Sequence, residues 1–284
     1  MKTENLKINK KRGKLKIILN IIIILIVFIA LVHIIHMLTL DRIIEYKEIS
    51  FYSTNIPPGM NGYKIAFITD THNISDNRLQ SIVAELNKRS IDLTLLGGDF
   101  SMQMAEMQKH IEILSNINSA DGIYGVDGNH DYPYALSAAM EEHGMTFLSN
   151  QGLYIRENFF LAGVEFWSKS NPNSDMIADT INGSVIEDFV LLLSHSPYIA
   201  MAQDTAGIDL ILSGHTHGGQ VNFFGIWAPY FTFTKGVTEY GHRFKSGWAK
   251  SRDNVPVFVS NGTGEYAPRI FARPQVILIS LYNE

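Results

Sequence analysis

The chain has 284 residues, 46% of them apolar, with 23 basic and 28 acidic side chains and no cysteine. That length holds one large domain or two small ones. The apolar content excludes wholesale disorder, and the lack of cysteine excludes disulfides, thiolate zinc sites and cysteine nucleophiles. Residues 1–16 carry Lys2, Lys7, Lys10, Lys11, Arg12, Lys14 and Lys16 against Glu4, so the remainder has 16 basic and 27 acidic residues, a net of −11. A body that acidic lacks the clustered positive charge a nucleic acid backbone needs, so no nucleic acid partner is expected; it suits a holder of divalent cations.

The basic tail leads into Ile17–Leu40, which contains no charged residue and whose only strongly polar members are Asn20, His33 and His36. At 1.5 Å per residue this stretch reaches about 36 Å as a helix, enough to cross a hydrocarbon core of about 30 Å with some tilt. It is longer than the apolar core of a cleaved signal, and no small-x-small cleavage site precedes Asp41, so an uncleaved transmembrane anchor is expected over 17–40. The positive flank places residues 1–16 in the cytoplasm and the rest outside, at a single-pass cell membrane anchor.

Residues 41–62 read as a connector. Within it, Glu48–Thr54 alternates like an edge strand, and Pro57-Pro58-Gly59 and Asn61-Gly62 mark turns. From residue 63 to 284 a single domain is expected. Lys64–Thr69 reads as a buried strand ending at Asp70-Thr71-His72, and Asp76–Arg89 as a helix with Leu79, Ile82, Val83 and Leu86 on one face and Ser75 or Asp76 as cap. Asp92–Leu96 runs into Gly97-Gly98-Asp99. A second helix carries Met104, Met107, Ile111, Leu114 and Asn118, with both methionines read as core filling. Ile123–Val126 runs into Asp127-Gly128-Asn129-His130-Asp131. Strand, polar cluster and helix thus alternate, which implies a mainly parallel sheet with ligands gathered at the strands' carboxyl ends.

The second half holds apolar runs at 159–164, 189–193 and 208–212; the second ends at His195 and the third at His215 and His217. An aromatic segment follows, with Phe223, Phe224, Trp227, Tyr230, Phe231 and Phe233, and strands near Val257–Ser260 and Val276–Leu281 close the fold. The aromatics suit either ordinary packing or contact with an acyl chain.

Five of the ten histidines therefore stand directly after apolar strands, beside carboxylates, whereas His33, His36, His110, His143 and His242 lack that context and read as structural. Imidazole, carboxylate and carboxamide together suit Mn, Fe or Zn, and two such ions about 3.5–4 Å apart clamp both oxygens of a displacement at phosphorus. No His-Glu-x-x-His or Gly-x-Ser-x-Gly stretch points to a zinc peptidase or a serine hydrolase.

The series Asp70-x-His72, Gly98-Asp99, Gly128-Asn129-His130-Asp131, His195 and Gly214-His215-x-His217 resembles the calcineurin-like metallophosphoesterase superfamily from about residue 63 to the C-terminus. Leu212–Gln220, Ser260–Gly264 and Arg269–Pro274 resemble its membrane-associated bacterial branch, which includes YkuE-like phosphoesterases and is related to UDP-2,3-diacylglucosamine hydrolases. The resemblance implies a mixed α/β fold, a four-layer α/β/β/α sandwich, behind the transmembrane helix. It implies two divalent metal ions, one held by Asp70, His72 and His217, the other by Asn129, His195 and His215, with Asp99 bridging. A hydroxide between the ions would attack phosphorus, His130 would act on the leaving oxygen, and Asp131 would orient the His130 ring. Expected substrates are phosphodiesters or pyrophosphates, with a lipid-linked or nucleotide-lipid substrate as one option. The alternative is a non-catalytic metal-binding scaffold. Departures from the family pattern, Thr69 before Asp70, Asn73 after His72 and Phe100–Gln103 after Asp99 without the acidic residue often found there, leave the ligand positions intact.

Overall fold

A computed structural model describes residues 2–167, 175–229, 241–264 and 268–284. The elements in chain order are α1 (Lys2–Leu38), β1 (Glu45–Tyr52), β2 (Tyr63–Ile68), α2 (Asp76–Leu86), β3 (Leu93–Leu96), α3 (Met104–Leu114), β4 (Ile123–Gly125), α4 (Pro133–Glu142), β5 (Thr146–Phe147), β6 (Gln151–Arg156), β7 (Phe159–Gly163), α5 (Met176–Ile181), β8 (Phe189–Leu193), α6 (Ile199–Ala202), β9 (Leu210–Ser213), β10 (Gly247–Lys250), β11 (Pro256–Val259) and β12 (Gln275–Tyr282).

The strands form two six-stranded sheets, ordered β1-β12-β2-β3-β4-β5 and β10-β11-β9-β8-β7-β6. In the first, β2, β3, β4 and β5 run parallel and β12 pairs antiparallel with β2. In the second, β7, β8, β9 and β11 run parallel, and antiparallel β6 and β10 close the edges. The connector strand expected around Glu48–Thr54 is β1, which pairs with β12 over its whole length and so belongs to the first sheet.

Every central strand is buried on both faces, which is why these strands read as continuous apolar runs. Between the sheets lie Ile65, Phe67 and Leu95 from one and Leu161, Leu191, Leu193, Leu212 and Phe258 from the other. Outside the first sheet, Ala66, Ile68 and Leu96 pack on Leu79, Ile82 and Leu86 of α2, on Met107, Ile111 and Leu114 of α3, and on Leu136 and Met140 of α4. Outside the second, Val190, Leu192 and Ile211 pack on Met176, Ile177 and Ile199. The result is the four-layer α/β/β/α sandwich. One expectation fails here: Met107 is buried, but Met104, at the first turn of α3, is 46% exposed and fills no core.

α1 is long and apolar enough to cross a membrane by length and composition, over Lys11–Arg42. Its residues from 11 to 28 are exposed, so the domain does not supply an apolar environment for them.

Candidate metal centre

Five parallel strands deliver their carboxyl ends to one place, where the two sheets meet. β2 is followed by Asp70 and His72, β3 by Asp99, β4 by Asn129 and His130, β8 by His195, and β9 by His215 and His217. After β2, β3 and β9 the chain turns sharply. Asp70, His72, Asp99, His215 and His217 all adopt positive φ, at 52°, 41°, 57°, 69° and 49°. Left-handed backbone disfavours residues with a Cβ, though Asp, Asn and His tolerate it better than most, and such outliers gather at functional sites. In place of glycine, these turns carry side chains that can bind a ligand. The backbone cost is testable at His215. In metal-free protein, His215→Gly is expected to be more stable than His215→Ala by about 1 kcal/mol, the reverse of the usual order, read as a higher urea midpoint. Equal midpoints would remove the strain argument.

The neighbouring glycines are needed because the loops pass within contact distance. A Cβ on Gly214 would fall on Asp70 Oδ2 and Thr69 Oγ1, and one on Gly128 would fall on Asp99 Oδ1. That closeness lets the backbone hold the carboxylates. The His215 N–H lies 3.0 Å from both oxygens of Asp70, and the Thr69 hydroxyl donates to Asp70 Oδ2 at 2.7 Å. The His130 N–H donates to Asp99 Oδ1 at 2.8 Å.

Six side chains then form two groups, Asp70 with His72 and His217, and Asp99 with His195 and His215; within each group the ligand atoms lie within 4.8 Å of one another. His72 Nε2 is 3.1 Å from His217 Nε2, and His195 Nε2 is 3.2 Å from His215 Nδ1. Asp99 Oδ2 joins the groups, 3.5 Å from His72 Nε2 and 3.2 Å from His195 Nε2. His195 Nδ1 donates to the Gly97 carbonyl at 2.7 Å, which fixes that ring and aims Nε2 into the cluster.

Charge and burial suit cations. Burial pulls His217 down to about 3 and His215 down to about 4, so both rings are neutral at pH 7, the form that ligates a metal. Burial would raise Asp70 and Asp99, but the surrounding imidazoles hold both below the ordinary carboxylate range. Burial would likewise lower His195, but the Asp99 and Asp70 carboxylates carry it up to about 10. Two buried carboxylates thus face four imidazoles whose nitrogens converge in facing pairs, an arrangement of hard oxygen and borderline nitrogen donors that divalent transition ions satisfy. The residues fit such ions.

His130 stands at the rim, and Asn129 precedes it in the β4 loop. Asn129 is exposed, and its carboxamide makes no hydrogen bond among the described residues. The half-buried His130 ring meets the edge of His72 with centroids 5.5 Å apart. Asp131 is bonded to backbone. Its Oδ2 accepts the N–H groups of Asp99 (2.7 Å) and Gly128 (2.8 Å), and its Oδ1 accepts that of Phe100 (2.8 Å). Asp131 therefore braces the Asp99 turn against the Gly128 turn.

Three contributors escaped the sequence reading. Phe166 lies 5.9 Å from the His195 ring and 5.7 Å from the His215 ring, and Tyr198 meets His215 edge-on at 5.8 Å. Both stand a few residues past apolar runs, but an aromatic ring offers no strong ligand atom, so neither stands out as a site residue. Buried Arg269 donates to the carbonyls of Asn261, Gly264 and Ala272, and its Nη2 sits 3.4 Å from His217 Nδ1. His110, read as structural, donates Nδ1–H to the Phe100 carbonyl at 2.9 Å, beneath the Asp99 loop.

A two-sheet sandwich with paired Asp/His clusters at the parallel strand ends defines a metal-dependent phosphoester-processing class of protein. Residues 63–219, more than half of the chain, match the calcineurin-like phosphoesterase model, and the chain belongs to that family. Among similar proteins, an uncharacterized metallophosphoesterase of Campylobacter jejuni is 27% identical over 86% of this chain, which spans 65% of that protein's length. The uncharacterized metallophosphoesterase YkuE of Bacillus subtilis is 27% identical over 84% of this chain and 86% of its own. The phosphodiesterase YaeI of Escherichia coli is 24% identical over 82% and 86%. Members of the YkuE branch are thus among its relatives.

Proposed function

We propose that this chain is a membrane-anchored phosphohydrolase that uses two divalent ions to cleave a phosphodiester or pyrophosphate bond. The observation that carries the reading is the Asp99 carboxylate, whose Oδ2 reaches one imidazole of each three-residue group, at 3.5 Å and 3.2 Å. Asp70, His72 and His217 would hold one ion, His195, His215 and Asn129 the other, with Asp99 shared. Bound there, the ions supply Lewis acidity to the phosphoryl oxygens and lower the pKa of coordinated water. Mn, Fe and Zn all suit the donor set.

The protein's own residues do the rest. Asp70 and Asp99 are held by backbone N–H donors, so their oxygens need not reorganise when substrate arrives. The half-buried His130 ring, at the rim beside His72, serves the leaving oxygen as a proton donor. Asp131 keeps the β3 and β4 turns together. Phe166 and Tyr198 wall the His215 side against water.

The name of the E. coli relative favours a diester over a monoester. The basic flank of α1 favours a cytoplasmic N-terminus with the phosphoesterase domain outside. Anchoring on that side favours a substrate held at the membrane, a lipid-linked or nucleotide-lipid phosphate ester. The test is a panel of aryl phosphomonoesters, phosphodiesters, nucleotide pyrophosphates and lipid-linked pyrophosphates with added Mn²⁺. Diester or pyrophosphate turnover that an Asp99→Ala control loses is the expected result. No turnover above that control on any member would leave a metal-binding scaffold instead.

A further inference from the structure

The C-terminal half of α1 is not bare. Its half-covered positions are Ile29, Val32, His33, His36 and Met37, while Ala30, Leu31, Ile34, Ile35 and Leu38 are exposed. That spacing is one stripe of a helix. On the stripe, the His33 ring lies 5.1 Å from Phe223, 4.6 Å from Phe224 and 5.0 Å from Phe271. His36 stacks on Phe271 at 3.8 Å, and its Nδ1 sits 2.7 Å from Asp41 Oδ2, a carboxylate that also accepts the Phe271 and Ala272 N–H groups. The domain therefore grips α1 well below its polar end.

The level of that grip can be bounded. Counting from Ile17, His33 is about 24 Å along the helix, and counting back from Asp41 it is about 12 Å in; a hydrocarbon core is about 30 Å thick. Whichever end of the apolar stretch is set at the membrane boundary, His33 lies inside the core, and so do the phenylalanines against it.

The segment carrying them is built for that medium. Phe223 and Trp227 close a tight turn: the Phe223 N–H donates to the Trp227 carbonyl at 2.7 Å and the Ile226 N–H to the Phe223 carbonyl at 3.0 Å. The Gly225 and Ile226 carbonyls accept the Lys245 ammonium, so these two carbonyls are satisfied within the protein, as contact with lipid favours. Its side chains point out: Ile226 is 81% exposed, and Phe223, Phe224 and Trp227 are each at least 39% exposed. The same turn is bonded to the site. Asn222 donates Nδ2–H to the Gly218 carbonyl and accepts from Lys245 Nζ, and the Lys245 carbonyl accepts the hydroxyl of Thr216, which stands between His215 and His217. Tyr230, Phe231 and Phe233 of the aromatic segment lie outside the described residues.

We propose that the Phe223–Trp227 turn is a second membrane-embedded element, seated in the same leaflet as the C-terminal part of α1, and that it admits to the His217 side of the site a phosphate ester anchored in that leaflet. The entry role rests on the phosphohydrolase reading; the embedding does not.

The cysteine-free sequence makes single-site labelling direct. The full chain would be placed in nanodiscs of phosphatidylethanolamine and phosphatidylglycerol with a nitroxide on Ile226→Cys or on Ile186→Cys, a 90% exposed residue remote from α1. The ratio of oxygen to nickel-chelate collisions should be several times higher at 226 than at 186. Equal ratios, or a label at 226 shielded from both quenchers as under a protein partner, would overturn the embedding. For entry, Phe224→Ser combined with Ile226→Ser should lower kcat/KM on nanodisc-borne phosphatidyl-p-nitrophenol at least about tenfold while leaving bis(p-nitrophenyl) phosphate unchanged. Equal effects on the two substrates would overturn the entry role. Unaltered protein that hydrolyses no phosphate ester would overturn it together with the phosphohydrolase reading, while the label at 226 would still decide the embedding.

Discussion

Asp99→Ala is expected to lower Mn²⁺-supported hydrolysis of bis(p-nitrophenyl) phosphate by at least about 100-fold, since even partners one step removed from a metal cost about 10–100-fold when lost. Its carboxylate stands between the two groups, with Oδ2 near His72 and His195, and Oδ1 takes the His130 N–H. Removing it severs the groups and leaves His195, whose proton is held chiefly by Asp99, without that partner. It also strands a backbone donor, worth about 1–3 kcal/mol, so lost activity could reflect lost folding. Asp99→Asn separates the two effects. Its amide oxygen still accepts from His130, but it carries no charge, so a folded and inactive Asn variant is the decisive observation. An Asp99→Ala protein that keeps activity within a few-fold of the unaltered chain would sink the shared-carboxylate assignment.

Paired histidine substitutions are expected to resolve the two ions by stoichiometry. His217 faces His72, and His215 faces His195, at 3.1 Å and 3.2 Å. If each pair serves its own ion, His72→Ala with His217→Ala should empty one site and spare the other, so metal analysis finds about one ion remaining. His215→Ala with His217→Ala should empty both. Residues that share a partner couple strongly, so the second loss within a pair should add little to the first, whereas losses across pairs should add. Should the 215/217 double variant retain as much metal as the 72/217 variant, the two histidines of the β9 loop serve the same ion, and the division is wrong.

Much of this site was legible because its ligands follow short apolar runs. A strand buried on both faces carries few polar residues and almost no ionisable one until it leaves the sheet, so Asp70, Asp99, His195 and His215 announce themselves by position. Which ligand meets which was legible only through family resemblance, because the pairing is made by sheet packing: His195 Nδ1 reaches the Gly97 carbonyl 98 residues away. The bracing role of Asp131 is not legible in sequence for a related reason. A carboxylate next to a histidine suggests a side-chain partner, but the turn presents three backbone N–H groups to it, and backbone direction is invisible in sequence. α4 is implied only as the helix of the third strand–cluster–helix repeat, without bounds, because its sequence, PYALSAAMEE, presents only a short apolar face, Leu136, Ala139 and Met140. The spacing of Met104 suggests core, but at the first turn of α3 it is exposed, so correct phase alone does not bury a residue at a helix end.

The five left-handed residues carry a consequence for anyone who engineers this protein. A screen that rewards heat tolerance alone favours glycine wherever φ is positive, and Asp70, His72, Asp99, His215 and His217 are five such positions. Variants rising to the top of such a screen would become sturdier by discarding donor atoms one at a time. Thermal selection of this chain therefore needs a metal-retention counter-screen, because melting temperature by itself would report progress while the site is dismantled.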